Sequence, residues 1–392
     1  MSSATQFTNC RLCVNGGMIL GSLTISQSGF IIPNYPLPPN TTQVDLQNAI
    51  ISPGFLELQT NGALGFHFAH YREPATYQAG VRKLAKYLPS TGVTGFYPTI
   101  PTVSSEIFQK ALPFLKPYDE PGSASVLGAH VEGPFLAPSK KGAHDAENMH
   151  VPASSSPESI YGKDNLKTSI RVLTLAPELP GALSHIQTLT EDYGIRVSMG
   201  HSAADYQQGL DGMAHGANLI THTFNAMNPL HHREPGLAGL ISGPDPPYFS
   251  IIADSIHLHP SLVGLAYRSS PTHCILITDS IELSGLPDGI HPGHAQIPFK
   301  QRKAGNKVTI DGTDTLIGSC IGLDGCLRNL MAYAGVIVAQ AVRCVTENVA
   351  NAMGLKDRGA LEVGRRGDFV ILSERGEVKE TWISGTKVDS MM

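Results

Sequence analysis

Short apolar runs and helical patterns alternate through the middle of the chain. Apolar residues recur at helical spacing from Tyr77 to Leu88 and again from Ile107 to Leu115. A third amphipathic pattern, from Val336 to Met353, ends at Gly354, a residue type typical of helix C-termini. Eight apolar runs fit strands: residues 49–58, 94–97, 125–131, 170–175, 195–199, 218–221, 248–253 and 273–278. This alternation predicts an α/β fold, a (β/α)8 TIM barrel.

Both ends of the chain have a different pattern. Residues 22–32 alternate between apolar and polar positions, and Asn15 to Gly17 is typical of a hairpin turn. Near the other end, residues 368–372 and 378–383 also predict strands. We therefore expect a small β-sandwich domain built from residues 1–52 and 362–392, beside a barrel of residues 53–361.

Composition excludes several classes of protein. With 41% hydrophobic and 16% charged residues, the 392-residue chain is not of the disordered type. A net charge of −5 gives no basic surface for nucleic acid or an anionic membrane. The longest apolar stretch, residues 333–342, is about half of what a membrane span needs. With no secretory signal pattern and six unevenly spaced cysteines, a cytoplasmic, reduced protein is expected.

Polar and ionisable residues follow nearly every apolar run. In a barrel of this type the chemistry lies at the C-terminal ends of the strands, so these residues are expected to share one site. The residues in question are Gln59, Asn61, Thr99, Glu132, Glu178, His201, His222, Asp254 and Asp279.

Glu132, His201 and His222 form a candidate metal site. A catalytic zinc ion takes three protein ligands of these types and leaves a fourth position for water. The alternative is that each is an ordinary polar residue ending a strand. Asp279 could move a proton to and from that water, or it could cap the next helix, and its position alone leaves both open.

Other patterns add little. Glycine and histidine recur in loops at residues 128–135, 142–144 and 225–233, which are typical of segments that position functional groups. The pair His257 and His259 resembles a metal dipeptide, but His259 precedes Pro260 and could open the next helix. Neither phosphate-binding glycine motif occurs, so nucleotide binding by those loops is unsupported.

Together these motifs closely resemble the N-acetylglucosamine-6-phosphate deacetylase family of the amidohydrolase superfamily. The resemblance runs from Ser52 to Asp368, nearly the whole chain. Its more specific parts are residues 59–62, 92–94, 98–99, 129–135, 142–144, 200–202, 221–227, 232–236 and 253–257.

The resemblance implies a single divalent metal ion per subunit, with Zn²⁺ expected. Most amidohydrolases begin with His-x-His after the first strand, where this chain has Gln59 and Asn61, and Glu178 marks a fourth strand end without a bridging lysine. The implied ligands are again Glu132, His201 and His222. Asp279 is implied as general base and acid, and His144 as a contact of the acetamide carbonyl.

The resemblance also implies how a sugar phosphate would bind. The implied arginine, Arg233, suits phosphate because a guanidinium makes paired hydrogen bonds to it. In the family this arginine can come from the neighbouring subunit, so a homodimer is expected. The full set of implied substrate residues is Ala143, Asn225, the Ala226 backbone, Arg233, His257, Leu316, Ile317 and Gly318.

The implied reaction is hydrolysis of N-acetyl-D-glucosamine 6-phosphate to D-glucosamine 6-phosphate and acetate in amino-sugar metabolism. Two alternatives are a cyclic-amide hydrolase of the same superfamily and a non-catalytic sugar-phosphate-binding barrel. Some positions depart from the family pattern, namely Ser255, residues 280–282 and residues 317–320. None is a predicted metal ligand, so they bear on substrate fit.

Overall fold

A computed structural model describes residues 4–293 and 299–389 of the chain. Within them, eight parallel strands pair in chain order, which confirms the predicted barrel. The seam is nearly closed, since the Asp279 N–H after strand 8 donates to the Gln59 carbonyl of strand 1 at 3.0 Å. Barrel strands 1 to 8 are Phe55–Thr60, Val93–Pro101, Ala129–Glu132, Ile170–Leu175, Arg196–Met199, Leu219–Ile220, Tyr248–Ile252 and Cys274–Ile277, and Ser125–Val126 pairs with strand 2.

One predicted strand corresponds to parts of two strands in the structure. The apolar run 49–58 divides at Gly54, where Thr42–Pro53 leaves the small sheet and barrel strand 1 begins. A Cβ at Gly54 would lie 2.2 Å from the Thr94 hydroxyl oxygen, so only glycine fits at this crossing. The run is continuous in sequence because both segments are buried.

The strands from the two chain ends form a separate sheet, as predicted. Asn15 and Gly16 have φ values of 50° and 78° and make the two-residue hairpin turn that the sequence indicated. Phe7 packs against Phe369 and Trp382 with ring centroids 5.0 and 4.9 Å apart. In the described residues this sheet has the order Thr386–Lys387, Val378–Ile383, Phe369–Leu372, Thr42–Pro53, Ala4–Val14, Gly17–Ser26, Ile31–Ile32.

Helices lie between the barrel strands. The first two predicted patterns are confirmed as helices, each extended by a 3-10 turn, but the pattern 336–353 is broken, because Thr346 has φ −137° and ψ −91°. Gly354, at φ 70°, ends the last piece as predicted. The α-helices are Pro74–Tyr87, Ser105–Ala111, Pro157–Tyr161, Lys163–Thr168, Ala182–Glu191, Tyr206–Ala214, Gly236–Gly239, Pro260–Ser269, Leu323–Ala334, Val338–Val342 and Glu347–Met353. The 3-10 turns are Leu88–Thr91, Leu112–Leu115, Pro138–Lys140, Ala146–Asn148, Pro152–Ser154, Leu240–Ser242 and Arg343–Val345.

An inserted sheet that the sequence pattern does not predict follows barrel strand 8. It is antiparallel throughout, and the Ile281 N–H after strand 8 donates to its Ser319 carbonyl at 3.0 Å. The insert therefore stands at the end of the barrel where the predicted site residues lie. Its described strands are Gly289–His291, Gln301–Ala304, Lys307–Ile310 and Leu316–Ser319. A separate two-stranded hairpin, Gly62–Ala63 with Phe66–His67, follows barrel strand 1 in the sequence.

The opposite end of the barrel is closed by apolar packing. Val349 and Ala350 of the last helix join a buried cluster with Leu56, Leu219 and Ile275 of the strands. The six cysteines are free and buried. Across residues 4–293 and 299–389, no helix is both long and apolar enough to span a bilayer.

Candidate active site

The three predicted metal ligands converge at the C-terminal end of the barrel. The Glu132 Oε1 atom lies 3.0 Å from the His222 Nε2 atom and 3.3 Å from the His201 Nε2 atom. The two Nε2 atoms are 3.1 Å apart. All three side chains are buried, and their candidate ligand atoms lie within 4.8 Å of one another. The three residues grouped by their positions at strand ends therefore lie together in the fold.

Local backbone geometry aims the two histidines. His201 and His222 have φ values of 49° and 30°, so the chain turns sharply where each strand ends. His201 Nδ1 donates to the Lys140 carbonyl at 2.8 Å, and this contact turns the ring so that Nε2 faces Glu132. The His222 N–H donates to the Ser250 hydroxyl at 2.8 Å.

The cluster fits a divalent cation. Burial alone would raise the pKa of the Glu132 carboxyl, but hydrogen bonds from His201 and His222 outweigh it and lower that pKa well below its usual value. A carboxylate and two imidazole nitrogens, buried and facing one point, are a donor set that Zn²⁺ and related ions accept. The arrangement is therefore a candidate metal site of the mononuclear type.

Asp279 stands beside this cluster. Its Oδ1 atom accepts hydrogen bonds from Asn61 Nδ2 at 2.6 Å and Gln59 Nε2 at 3.2 Å. Gln59 Nε2 also lies 3.0 Å from Glu132 Oε1, so one amide links the candidate base to a candidate ligand. Burial and then the charge of Glu132 raise the pKa of Asp279. A carboxyl so placed is suited to exchanging a proton with a water at the cluster.

His144 is held in one tautomer. The Thr102 backbone N–H donates to His144 Nδ1 at 3.1 Å, so this nitrogen is an acceptor. Burial, followed by the neighbouring His201, lowers the pKa of His144 to about 3, so the ring is neutral. Its proton therefore sits on Nε2, which lies 3.8 Å from Glu132 Oε2 at the edge of the cluster. His144 presents a hydrogen-bond donor to whatever binds there.

A cavity of about 290 Å³ opens onto these groups. Arg233 is exposed and does not belong to its wall, and no described contact brings it to the cluster. His257, another predicted substrate residue, is held by Asp254, whose Oδ2 atom accepts a hydrogen bond from His257 Nδ1 at 2.7 Å. The other predicted substrate residues all line the cavity: Ala143, Asn225, Ala226, His257, Leu316, Ile317 and Gly318.

Several contributors were not given a role by sequence reasoning. Gln59 and Asn61 were noted as strand ends, but their amide contacts to Asp279 depend on the closure of strand 8 against strand 1. His67 and Thr102 line the cavity without following a long apolar run. Glu282 reaches the wall from the loop after Asp279. No local sequence pattern marks these three.

A (β/α)8 barrel with a buried carboxylate, two histidines and an acid at its C-terminal end defines a metal-dependent amidohydrolase. The amidohydrolase family model matches residues 50–388. The chain is 37% identical to the N-acetylglucosamine-6-phosphate deacetylase of Caenorhabditis elegans, over 98% of this chain and 94% of that protein. It is 34% identical to the human protein of that name, over 98% and 95%. The chain therefore belongs to the N-acetylglucosamine-6-phosphate deacetylases of the amidohydrolase family.

A solved structure agrees over the whole length. The N-acetyl-D-glucosamine-6-phosphate deacetylase of Mycobacterium smegmatis, in a mutant form complexed with N-acetyl-D-glucosamine-6-phosphate, is 26% identical to this chain. The two superpose with a TM-score of 0.84, covering 99% of this chain and 100% of the other. The barrel and the terminal sheet are thus both features of the family fold.

Proposed function

We propose that this protein hydrolyses N-acetyl-D-glucosamine 6-phosphate to D-glucosamine 6-phosphate and acetate. The observation that carries the proposal is Asp279 held beside the cluster of Glu132, His201 and His222 at the base of a sugar-sized cavity. Relatives that cover nearly all of the chain bear the name of this activity. Breakdown or reuse of amino sugars is the metabolism it would serve.

Three residues would hold the ion and two would handle protons. Glu132, His201 and His222 would bind one divalent ion, which we expect to be Zn²⁺. Such an ion, when bound, lowers the pKa of a water and polarises the acetyl carbonyl. Asp279 takes the proton as the water attacks, then delivers it to the departing amine. The Nε2–H of His144 donates to the acetyl oxygen, where negative charge develops.

The sugar phosphate would lie along the remaining cavity wall. Asn225, the Ala226 backbone and His257 are placed to contact it, and Leu316, Ile317, Gly318 and Ala143 would shape the pocket. We infer that the protein is a homodimer in which Arg233 binds the phosphate of the substrate held by the neighbouring subunit. Its exposed position leaves the guanidinium free to reach beyond its own chain.

We further propose the domain limits 1–52 with 362–392 and 53–361, of which residues 1–3, 294–298 and 390–392 lie outside the described residues. A cytoplasmic location is supported by the free cysteines, which suit a reducing compartment.

Acetate release from N-acetylglucosamine 6-phosphate is the direct test, with the unphosphorylated sugar measured alongside. We expect turnover that depends strongly on the phosphate. Release from neither sugar, by protein shown to hold one metal ion per chain, would contradict the proposal. Dihydropyrimidine and dihydroorotate belong in the same assay, because turnover of either would favour a cyclic-amide hydrolase.

Substitution Asp279→Asn tests the proton transfer. Asparagine keeps the shape of the side chain but cannot take a proton, so kcat should fall on the order of 10²–10⁴-fold. Metal content and the affinity for substrate should stay near those of the wild type. The exposed Asp192→Asn is the control and should keep full activity. Near-normal turnover in Asp279→Asn would remove Asp279 from this role.

A further inference from the structure

A layer of polar side chains crosses the barrel interior directly below the candidate metal site. His130, Thr174 and Ser198 come from strands 3, 4 and 5, and Thr221 directly follows strand 6. All four are at most 3% exposed. We call these four residues the polar belt. Burying polar groups at this depth costs free energy of folding unless they are hydrogen-bonded, so we expect all four to be paired.

The hydrogen bonds of the polar belt run in one direction. His130 Nδ1 lies 3.3 Å from the Leu58 carbonyl, which can only accept, so Nδ1 carries the proton. His130 Nε2 then accepts from the Thr174 hydroxyl at 2.8 Å. Thr174 in turn accepts from Thr221 at 2.8 Å, and Thr221 accepts from Ser198 at 2.5 Å. Such a consistently oriented chain is stronger than isolated pairs and rigid.

Each candidate ligand is attached closely to this layer. Glu132 stands two residues after His130, and His222 directly follows Thr221. His201 follows Gly200, whose hypothetical Cβ would lie 2.6 Å from the Thr221 Cβ atom, so the backbone there rests against Thr221. His201 and His222 also hold left-handed φ values, which only a firm surrounding structure maintains.

We propose that the polar belt is a positioning element of the metal site, which holds the backbones that carry Glu132, His201 and His222 in register and thereby sets the affinity for the divalent ion. The proposal rests on the metal site of the proposed function and is independent of the substrate. Thr221 is its central member, because it bonds two belt hydroxyls and adjoins two of the three ligands. Groups that orient metal ligands commonly change affinity 10–100-fold when they are removed.

The test is the Zn²⁺ dissociation constant of metal-free protein, measured by competition with a chromophoric chelator. Thr221→Val replaces the hydroxyl by a methyl group of similar size and should weaken Zn²⁺ binding about 10–100-fold. Thr221→Ser keeps the hydroxyl and should stay within about threefold of wild type. The control is Thr381→Val, because Thr381 is also buried and donates to the Pro89 carbonyl at 2.7 Å, but lies in the terminal sheet outside the barrel.

Several results would overturn the proposal. Thr221→Val could bind Zn²⁺ as tightly as wild type, or Thr381→Val could weaken binding equally, which would mean a general loss of stability. If Thr221→Val does not fold, Thr174→Val and Ser198→Ala remove neighbouring hydroxyls of the same chain, and unchanged affinity in both would be decisive. Wild-type protein that binds no divalent ion would overturn the metal site itself. Deacetylation by wild type together with unchanged variant affinities would overturn only the polar belt.

Discussion

Glu57 shows what one buried carboxyl does for the seam of the barrel. Its Oε1 atom accepts hydrogen bonds from the backbone N–H of Gln59 at 3.2 Å and of Thr278 at 3.3 Å. One side chain thus spans strands 1 and 8 just below Asp279. Burial raises the pKa of Glu57 to about 8 despite these hydrogen bonds, which favour the charged form.

The raised pKa of Glu57 predicts a pH dependence of stability. Between its ordinary pKa of 4.5 and about 8, the unfolded chain has lost this proton and the folded chain has not, so the free energy of unfolding falls as the pH rises. The slope from one such group is at most about 1.4 kcal/mol per pH unit. Urea unfolding of wild type and Glu57→Gln at pH 5.5, 7 and 8.5 measures it. The variant should lose less stability with pH, and equal slopes would contradict the assignment.

At the site, the residues that could be predicted are those that directly follow an apolar run in the sequence. Glu132, His201, His222 and Asp279 each follow an apolar run, so the strand-end rule places them. Thr102 could not be found that way, because its role is to fix the His144 tautomer through a contact across 42 positions of sequence. The Asn61 contact to Asp279 spans 218 positions and exists only because the barrel closes.

The last helix, Glu347–Met353, plugs the end of the barrel opposite the site. Asn348 fastens it, since its Nδ2 atom donates to the Cys274 carbonyl at 2.7 Å and to the Pro271 carbonyl at 2.9 Å. In barrels of this type, residues at this end serve stability and those at the other serve catalysis.

Substitution Asn348→Ala should therefore separate stability from activity. The variant leaves the buried Cys274 carbonyl and the part-buried Pro271 carbonyl without their donor. This should cost roughly 1–3 kcal/mol of unfolding free energy, and the midpoint of urea unfolding should fall accordingly. At a temperature where the variant is folded, its kcat and KM should equal those of wild type. A specific loss of kcat in folded protein would show that this end of the barrel reaches the site.

Elements with a local periodic signal were predicted, and features decided by individual side-chain hydrogen bonds were not. The break at Thr346 lies within an unbroken amphipathic pattern, and the Thr346 hydroxyl bonds the Val342 carbonyl at 2.7 Å where the helix is interrupted. The inserted strand Gln301–Ala304 has no run of apolar residues. Its place is fixed instead by Gln301, which donates to Glu282 at 2.9 Å beside the cavity.

For the whole molecule, the metal site predicts a ligand-dependent stability. An ion that binds only the folded protein stabilises it by about 2.7 kcal/mol when its free concentration is 100 times the dissociation constant. Removing the ion with a chelator should therefore lower the thermal unfolding midpoint, and returning Zn²⁺ should restore it. Scanning calorimetry on both forms measures this. Identical midpoints, in protein with confirmed loss of metal, would contradict a site formed only in the native state.

The terminal sheet has a consequence for how the protein is made. Phe369–Leu372 pairs with one edge of Thr42–Pro53, and Val378–Ile383 then pairs with Phe369–Leu372. During translation, one edge of Thr42–Pro53 therefore stays without a partner while the entire barrel is synthesised between the two segments. An unpaired strand edge invites pairing with other chains. Nascent or truncated chains that lack residues 369–387 are thus the species in which chaperone binding and aggregation should concentrate.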